Sequence, residues 1–243
     1  MSGLALAWRQ FRLERKLFWR NPSAAFFNFF LPLILLVLFA SVFADDPDQL
    51  EVLIPGIAGL SVMATTFNAL AFNITFLREQ GILKRVRGTP MPLASYFGGL
   101  LGSAVVNAAV QVALVVVIGN VAYGVAWPHD PLALIGFTAL GVVCFGALGI
   151  AFANAIPNFD SAPAYVNAVF LPVMFVSGVF YSADSLPRVL EVFAQALPLK
   201  HLIDGLSGAI VGSQVDMLGA ATIVAGWALS GVLLAVRFFR WEA

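Results

Sequence analysis

The sequence predicts an all-α membrane protein with six transmembrane helices, and three observations carry that prediction. Hydrophobic residues make up 60% of the chain and charged residues only 11%, with a mean hydropathy of +0.92. A soluble domain carries about a quarter charged residues to face water, so this chain cannot cover itself and the bilayer is its natural solvent. Six apolar runs, at 25–44, 55–77, 95–126, 132–156, 163–181 and 217–237, are each long enough to cross, since a span needs about 20 residues. The cations are segregated between alternate loops, which fixes an orientation.

Residues 3–22 precede the first run and predict an amphipathic helix. Arg9, Arg12, Lys16 and Arg20 fall on one stripe at helical spacing, and Trp8, Phe11 and Phe18 on an adjacent one. Such a helix lies in the headgroup plane, with its cations at anionic lipid and its rings at the acyl boundary. The first run ends in Val42-Phe43-Ala44, which resembles a signal-peptidase site. The charged leader is too long for a signal peptide and the apolar stretch has full spanning length, so the run reads as a retained span.

Arg9, Arg12, Arg15, Lys16 and Arg20 stand before span one, Arg78, Lys84, Arg85 and Arg87 after span two, and Arg237 and Arg240 at the end of span six. The loop after span one carries Asp45, Asp46, Asp48 and Glu51 with no cation, and the loop after span three has none either. By the positive-inside rule both termini are cytoplasmic, with only Arg188 and Lys200 left on the opposite side. Residues 182–213 are too polar for a further span and too apolar for a solvated loop. Pro187 can open a short helix, with Leu186, Val189, Leu190, Phe193 and Leu197 on one face and Pro198 as its stop. A second short helix follows from Leu199. The pair is read as an external re-entrant helical hairpin, because helices satisfy their own backbone groups in hydrocarbon.

Several chemistries are missing. No Asp, Glu, Lys, Arg or His falls inside spans one to five, and none inside span six before Arg237. A proton-coupled carrier usually needs a buried carboxylate or histidine. Sodium coupling through backbone carbonyls and hydroxyls stays open. A P-loop ends in Gly-Lys-Ser/Thr, yet Lys16, Lys84 and Lys200 are the only lysines and none follows a glycine. The two histidines, His129 and His201, lack partners at zinc-ligand spacing. Cys144 has no second cysteine to pair with. Zero net charge gives no field that points to nucleic acid. The chain therefore carries no ATPase site, no metal site and no cofactor of its own, and transport energy would come from a partner.

The segment Arg78-Glu79-Gln80-Gly81-Ile82-Leu83-Lys84-Arg85-Val86-Arg87-Gly88-Thr89-Pro90-Met91-Pro92 resembles one found in ABC-2 type permeases. The family pattern is a Glu/Arg pair, Gly-Thr-Leu, an Arg-bearing turn and Thr-Pro-Leu-Pro; here Ile82 and Met91 depart mildly from it. Ser177-Gly178-Val179-Phe180-Tyr181, Leu186-Pro187 and Pro198-Leu199-Lys200-His201-Leu202-Ile203-Asp204 are similar to the family's fifth span and external hairpin. The resemblance covers essentially the whole chain, as one ABC-2 transmembrane domain over 1–243, and is nearest to the daunorubicin-resistance type.

That resemblance implies a function. Residues 78–92 would be the coupling region, with Glu79, Gly81, Leu83, Lys84, Arg85 and Arg87 at the contact with a nucleotide-binding ATPase subunit. Two copies of that subunit would bind ATP and Mg. A second permease, identical or homologous, would complete the translocase in a cell inner (plasma) membrane. Spans one and five would line the pathway, with Phe26, Phe30, Asn167, Phe170, Met174 and Ser177 as candidates. A phenylalanine-rich wall with few amides suits a hydrophobic or amphiphilic cargo, drug-like or lipid-like. A glycan or ion exporter of the same family and a sodium-coupled carrier are the alternatives. Asn68, Asn73, Asn107, Gln111, Asn120 and Asn154 are expected as interhelical hydrogen-bonding groups.

Overall fold

A computed structural model describes residues 3–181 and 187–239, and for 23–25, 27 and 28 the backbone only. Within those residues the chain is all helix and turn, with no strand. The helices are α1 (Gly3–Arg20), α2 (Pro22–Val42), α3 (Pro47–Met63), α4 (Ala69–Glu79), α5 (Ile82–Arg87), α6 (Leu93–Tyr123), α7 (Pro131–Phe152), α8 (Ala162–Val176), α9 (Arg188–Ala196), α10 (Pro198–Val211) and α11 (Met217–Phe238). A π-helical segment, Ala64–Asn68, joins α3 to α4 without a break, and a 3-10 turn, Ala153–Ala155, extends α7.

Four helical stretches are long and apolar enough to cross a membrane: Pro47–Glu79, Leu93–Tyr123, Pro131–Ala155 and Met217–Phe238. Two shorter apolar stretches, Phe29–Val42 and Ala162–Val176, fall at the first and fifth predicted runs. The second of these stops short of the predicted 163–181 because Gly178 turns the chain with φ 76°. The span predicted at 55–77 begins at Pro47, where the Asp46 carboxylate accepts from Gln49 N at 3.2 Å and caps the helix. Asp130 caps α7 and Asp216 caps α11 in the same way. Acids at helix N-termini are favoured both by the bare N–H groups and by the helix dipole. Their crowding at one end of the bundle thus has a local cause as well as a topological one.

Close approach of the helices rests on glycine. At Gly149 a Cβ would come within 2.6 Å of the Phe67 carbonyl oxygen and 2.9 Å of its Cα, so α7 lies directly on the π-helical segment. Gly56 of α3 meets the Val179 backbone beyond α8 just as tightly. Helices in a bilayer gain little from apolar contact alone, and small residues let them meet at backbone distance. The largest buried cluster joins α3, α6, α7 and α10 through residues such as Ile57, Val62, Val115, Phe145 and Leu202.

The N-terminal helix makes a tertiary contact that its amphipathic pattern alone does not specify. α1 runs alongside the first half of α6: Gly3 O accepts from Ser95 Oγ at 3.0 Å, Gln10 and Phe11 press on Gly99, and Arg15 bonds the Asn107 side chain. The two helices advance in step over twelve residues, about 18 Å of axis. α6 is 31 residues long, about 46 Å, and so exceeds the hydrocarbon thickness of about 30 Å; α1 flanks its first turns.

The segment 182–213 begins with residues 182–186, Leu186 included, which lie outside the described set. Beyond them, α9 and α10 form a helical hairpin that turns at Leu197-Pro198. Its tip reaches the middle of α11, where Trp227 Nε1 donates to Ala196 O at 3.1 Å. α10 is buried along most of its length. The predicted apolar face of α9 points outward, with Val189 69% and Phe193 62% exposed, and only Ala194 of that helix is fully covered.

Candidate functional site

The segment joining α4 to α6 is built around two breaks. Gly81 has φ 66° and ψ 13°, the left-handed region that glycine enters at no steric cost. It ends α4 and turns the chain into α5. Pro90 and Pro92 end the next stretch, and Pro92 O then receives Ser95 N and Tyr96 N to start α6. Between the breaks α5 is a turn and a half long, with a one-sided pattern. Leu83 is fully buried, in a cluster with Ile74, Tyr96 and Leu100, and Val86 is half-buried beside it. Lys84, Arg85 and Arg87 are exposed. The helix is therefore anchored by one leucine and presents three cations outward.

Two residues before Gly81 bind this region to the opposite side of the bundle. Arg78 is only 6% exposed. Its guanidinium donates to Ala153 O at 3.0 Å and to Ile156 O, carbonyls of the turn that ends α7, the first of which also accepts from Ile156 N at 3.3 Å. An arginine there bonds helix-end carbonyls and meets the negative end of the helix dipole. Glu79 points to the same turn and accepts from Phe159 N at 2.5 Å. The α4 terminus and the α7–α8 connection thus move as one piece. In the sequence Arg78 reads as an orienting cation and as part of the Glu/Arg pair of the coupling region; its bonds to the end of α7 appear only in the fold.

The six pathway residues do not converge within one chain. Phe26 and Phe30 of α2 are half exposed and stack with ring centroids 4.3 Å apart. Asn167 is exposed on α8, whereas Phe170 and Met174 of the same helix are buried in the main cluster. Ser177 is completely buried and its hydroxyl has no hydrogen-bond partner among the described residues. It forms part of the wall of a cavity of about 580 Å³ at the acidic end of the bundle. A second, apolar cavity of about 600 Å³ lies between α7, α8 and α11, lined by Phe67, Phe145, Phe152 and Trp227 among others.

The polar residues divide into two kinds. Gln111 Nε2 donates to Phe29 O of α2 at 3.0 Å, close to Pro32, which interrupts that helix's own hydrogen bonding. Asn107 and Gln111 thus join helices as expected. Asn120 instead donates to Val125 O and finishes its own helix. Asn154 donates back to Ile150 O and Ala151 O. Tyr123 adds a link that the sequence reading missed, from its hydroxyl to Val37 O and to Ser41 of α2.

A bundle of apolar helices with a basic helix slung from one end and acids capping the other defines a multi-pass membrane protein with unlike faces. The chain belongs to the ABC-2 type transporter family, whose model matches residues 3–211. This family supplies the membrane-embedded part of ABC transporters. Nodulation protein J of Rhizobium leguminosarum bv. trifolii is 33% identical over 108 residues, 42% of this chain and 41% of that protein. Linearmycin resistance permease protein LnrN of Bacillus subtilis (strain 168) is 26% identical over 175 residues, 71% of this chain and 45% of that protein. Daunorubicin resistance ABC transporter permease protein DrrB1 of Streptomyces coeruleorubidus is 28% identical over 185 residues, 70% of this chain and 62% of its own. The chain spans less than half the length of the first two of these relatives.

Proposed function

We propose that this chain is the permease subunit of an ATP-driven exporter that moves a hydrophobic or amphiphilic compound, drug-like or lipid-like, out of the cytoplasm or inner leaflet. ATP and Mg are held by a separate nucleotide-binding subunit, present in two copies, and a second permease, identical or homologous, completes the pathway. The chain sits in a plasma (inner) membrane with six spans and both termini cytoplasmic. α2 and α8 supply the two shorter spans, α1 flanks α6 at the cytoplasmic interface, and the α9–α10 hairpin re-enters from outside. The contact of Trp227 with the hairpin tip supports that last placement, as does the outward apolar face of α9. The relatives named as linearmycin and daunorubicin resistance permeases support the cargo class.

The observation that carries the reading is α5. A helix of six residues is too short to be stable alone; it persists because Leu83 is buried, and it presents Lys84, Arg85 and Arg87 as one basic edge. A partner groove that grips this edge moves α4 and, through Arg78 and Glu79, the root of α8. The test is the triple substitution Lys84→Glu, Arg85→Glu, Arg87→Glu in the complex with its ATPase. Cargo-stimulated ATP hydrolysis falls to the unstimulated level and the ATPase no longer co-purifies, while Leu83 keeps the permease folded. Normal stimulation by a variant inserted at wild-type level refutes the reading.

A further inference from the structure

We propose that the cavity at the acidic end of the bundle binds the primary ammonium group of a cationic amphiphile. The cavity lies between the start of α3, the residues after α8, one face of α10 and the first turns of α11. It follows α11 from Asp216 to Ile223, about 10 Å of axis, and so reaches well into the bundle. At its side Lys200 Nζ lies 2.5 and 2.7 Å from the two Asp204 carboxylate oxygens, with the two side chains 22% and 25% exposed. Lys200 is two residues beyond the hairpin tip, whose neighbour Ala196 is bonded to the middle of α11. Ionisable residues at membrane depth are costly and mark binding sites and pathways.

Three features select an ammonium. Among the described lining residues the one Lys or Arg, Lys200, is taken up by Asp204, and Asp216 leaves one negative charge in excess. The surrounding end of the bundle carries Asp45, Asp46, Asp48, Glu51 and Asp130 beyond the wall itself, so its field draws cations in. The wall is also rich in acceptors. His201 Nε2 sits 2.8 Å from Gln195 O; a carbonyl only accepts, so this nitrogen carries the proton and a neutral imidazole keeps Nδ1 as an acceptor. Ser177 contributes the orphan hydroxyl, buried and unpartnered among the described residues, in the same wall. A primary ammonium offers three N–H donors to such a set, which a quaternary one does not. Val52, Ile203, Val215 and Ile223 give the apolar remainder of the lining, against which an alkyl or ring portion rests. The same ammonium could belong to a lipid headgroup or to a free amphiphile. The site rests on the export reading only for its role as the last station before release.

The full-length protein in phosphatidylcholine nanodiscs, without nucleotide or ATPase, is titrated with dodecylamine and with dodecyl sulfate, and its thermal midpoint is followed. Saturable stabilisation by dodecylamine alone is the expected result. Asp216→Asn keeps the cap on α11, since asparagine caps as well as aspartate. It leaves the ligand-free midpoint unchanged but weakens dodecylamine about fivefold, about 1 kcal/mol. Ser177→Ala also weakens dodecylamine without lowering the ligand-free midpoint, because the hydroxyl it removes has no partner among the described residues. Asp204→Asn combined with Asp216→Asn leaves Lys200 unopposed and turns the preference to dodecyl sulfate. Adding phosphatidylethanolamine separates the sources: competition identifies a lipid headgroup, and unchanged dodecylamine affinity a free amphiphile. An equal response to dodecyl sulfate, or unaltered dodecylamine affinity in Asp216→Asn and Ser177→Ala, overturns the proposal. Neither result depends on α5, so charge reversal there, which tests export, leaves these titrations as they are.

Discussion

Removing the Arg78 guanidinium should damage the protein more than any change among the exposed cations. Arg78→Ala deletes the donors to Ala153 O and Ile156 O, and at 6% exposure no water replaces them freely. Each hydrogen bond to a charged group contributes about 1.5–3 kcal/mol. We take about 3–5 kcal/mol for the pair, because the two bonds are made by one group and are not additive. For chains of this size each kcal/mol moves the thermal midpoint by about 2–4 °C, so a fall of about 6–20 °C is expected. The assay is the temperature at which half of the detergent-purified protein leaves its monodisperse chromatographic peak. Arg78→Lys keeps a charge but loses the planar fork, and recovers less than half of the loss. A midpoint for Arg78→Ala within about 1 °C of wild type would show that the α7 carbonyls do not need this arginine.

Gly149→Ala forces a methyl against the Phe67 backbone and costs about 1–3 kcal/mol in the same assay. Gly136→Ala, where a Cβ meets nothing within 4 Å, changes nothing or stabilises slightly. Equal effects from the two would remove the packing argument for α7. Glu14 on α1 has its carboxyl held above its ordinary value of 4.5, chiefly by burial, with the Gln10 hydrogen bond acting the other way. The folded state therefore binds its proton more tightly than the unfolded one, and stability declines as pH rises from 4.5 through the raised value. Glu14→Gln abolishes that part of the pH dependence, which midpoints measured from pH 4.5 to 7 will reveal; parallel curves for wild type and variant would count against it.

What the sequence made legible is set by how far each signal reaches along the chain. Apolar runs report burial from water regardless of neighbours, so the helices at 95–126, 132–156 and 217–237 appear within a few residues of their expected places. Gly81 and Pro90 break the backbone locally, so a short helix between them with Lys84, Arg85 and Arg87 exposed can be read from the residues themselves. Failures came where a contact joins distant segments. Arg15 reaches Asn107 and Gln10 packs on Gly99, and nothing in residues 3–22 alone says that a helix with an amphipathic pattern will dock on a neighbour. Arg78 reads as one more cation until the α7 carbonyls are placed beside it. The wall of the acidic-end cavity draws on four separate stretches of chain, and the orphan hydroxyl of Ser177 is invisible without them. Phe26 and Met174 show the same limit: both suit a pathway by type, yet one is exposed and the other buried.

If export works as proposed above, the way α8 is held would let a push at α5 open a pathway without unfolding the bundle. At its inner end α8 follows the turn that Arg78 and Glu79 grip. At its outer end the chain after Gly178 lies against Gly56. Between these points α8 buries only Ala162, Val166, Phe170 and Met174, whereas α3 is covered continuously from Leu53 to Met63. An element with little buried surface and two firm attachments is displaced at lower cost than the helices it leans on. Gly81 and Gly178, both at positive φ, stand at the two places where such a displacement must change backbone angles. On the export reading proposed above, the force would then enter through Glu79 and Arg78, and the cations of α5 would hold the partner. On that division of labour, Glu79→Gln weakens the link to Phe159 N and lowers cargo-stimulated ATP hydrolysis while the ATPase still co-purifies. Loss of co-purification in Glu79→Gln would place Glu79 in the partner contact itself and undo the division.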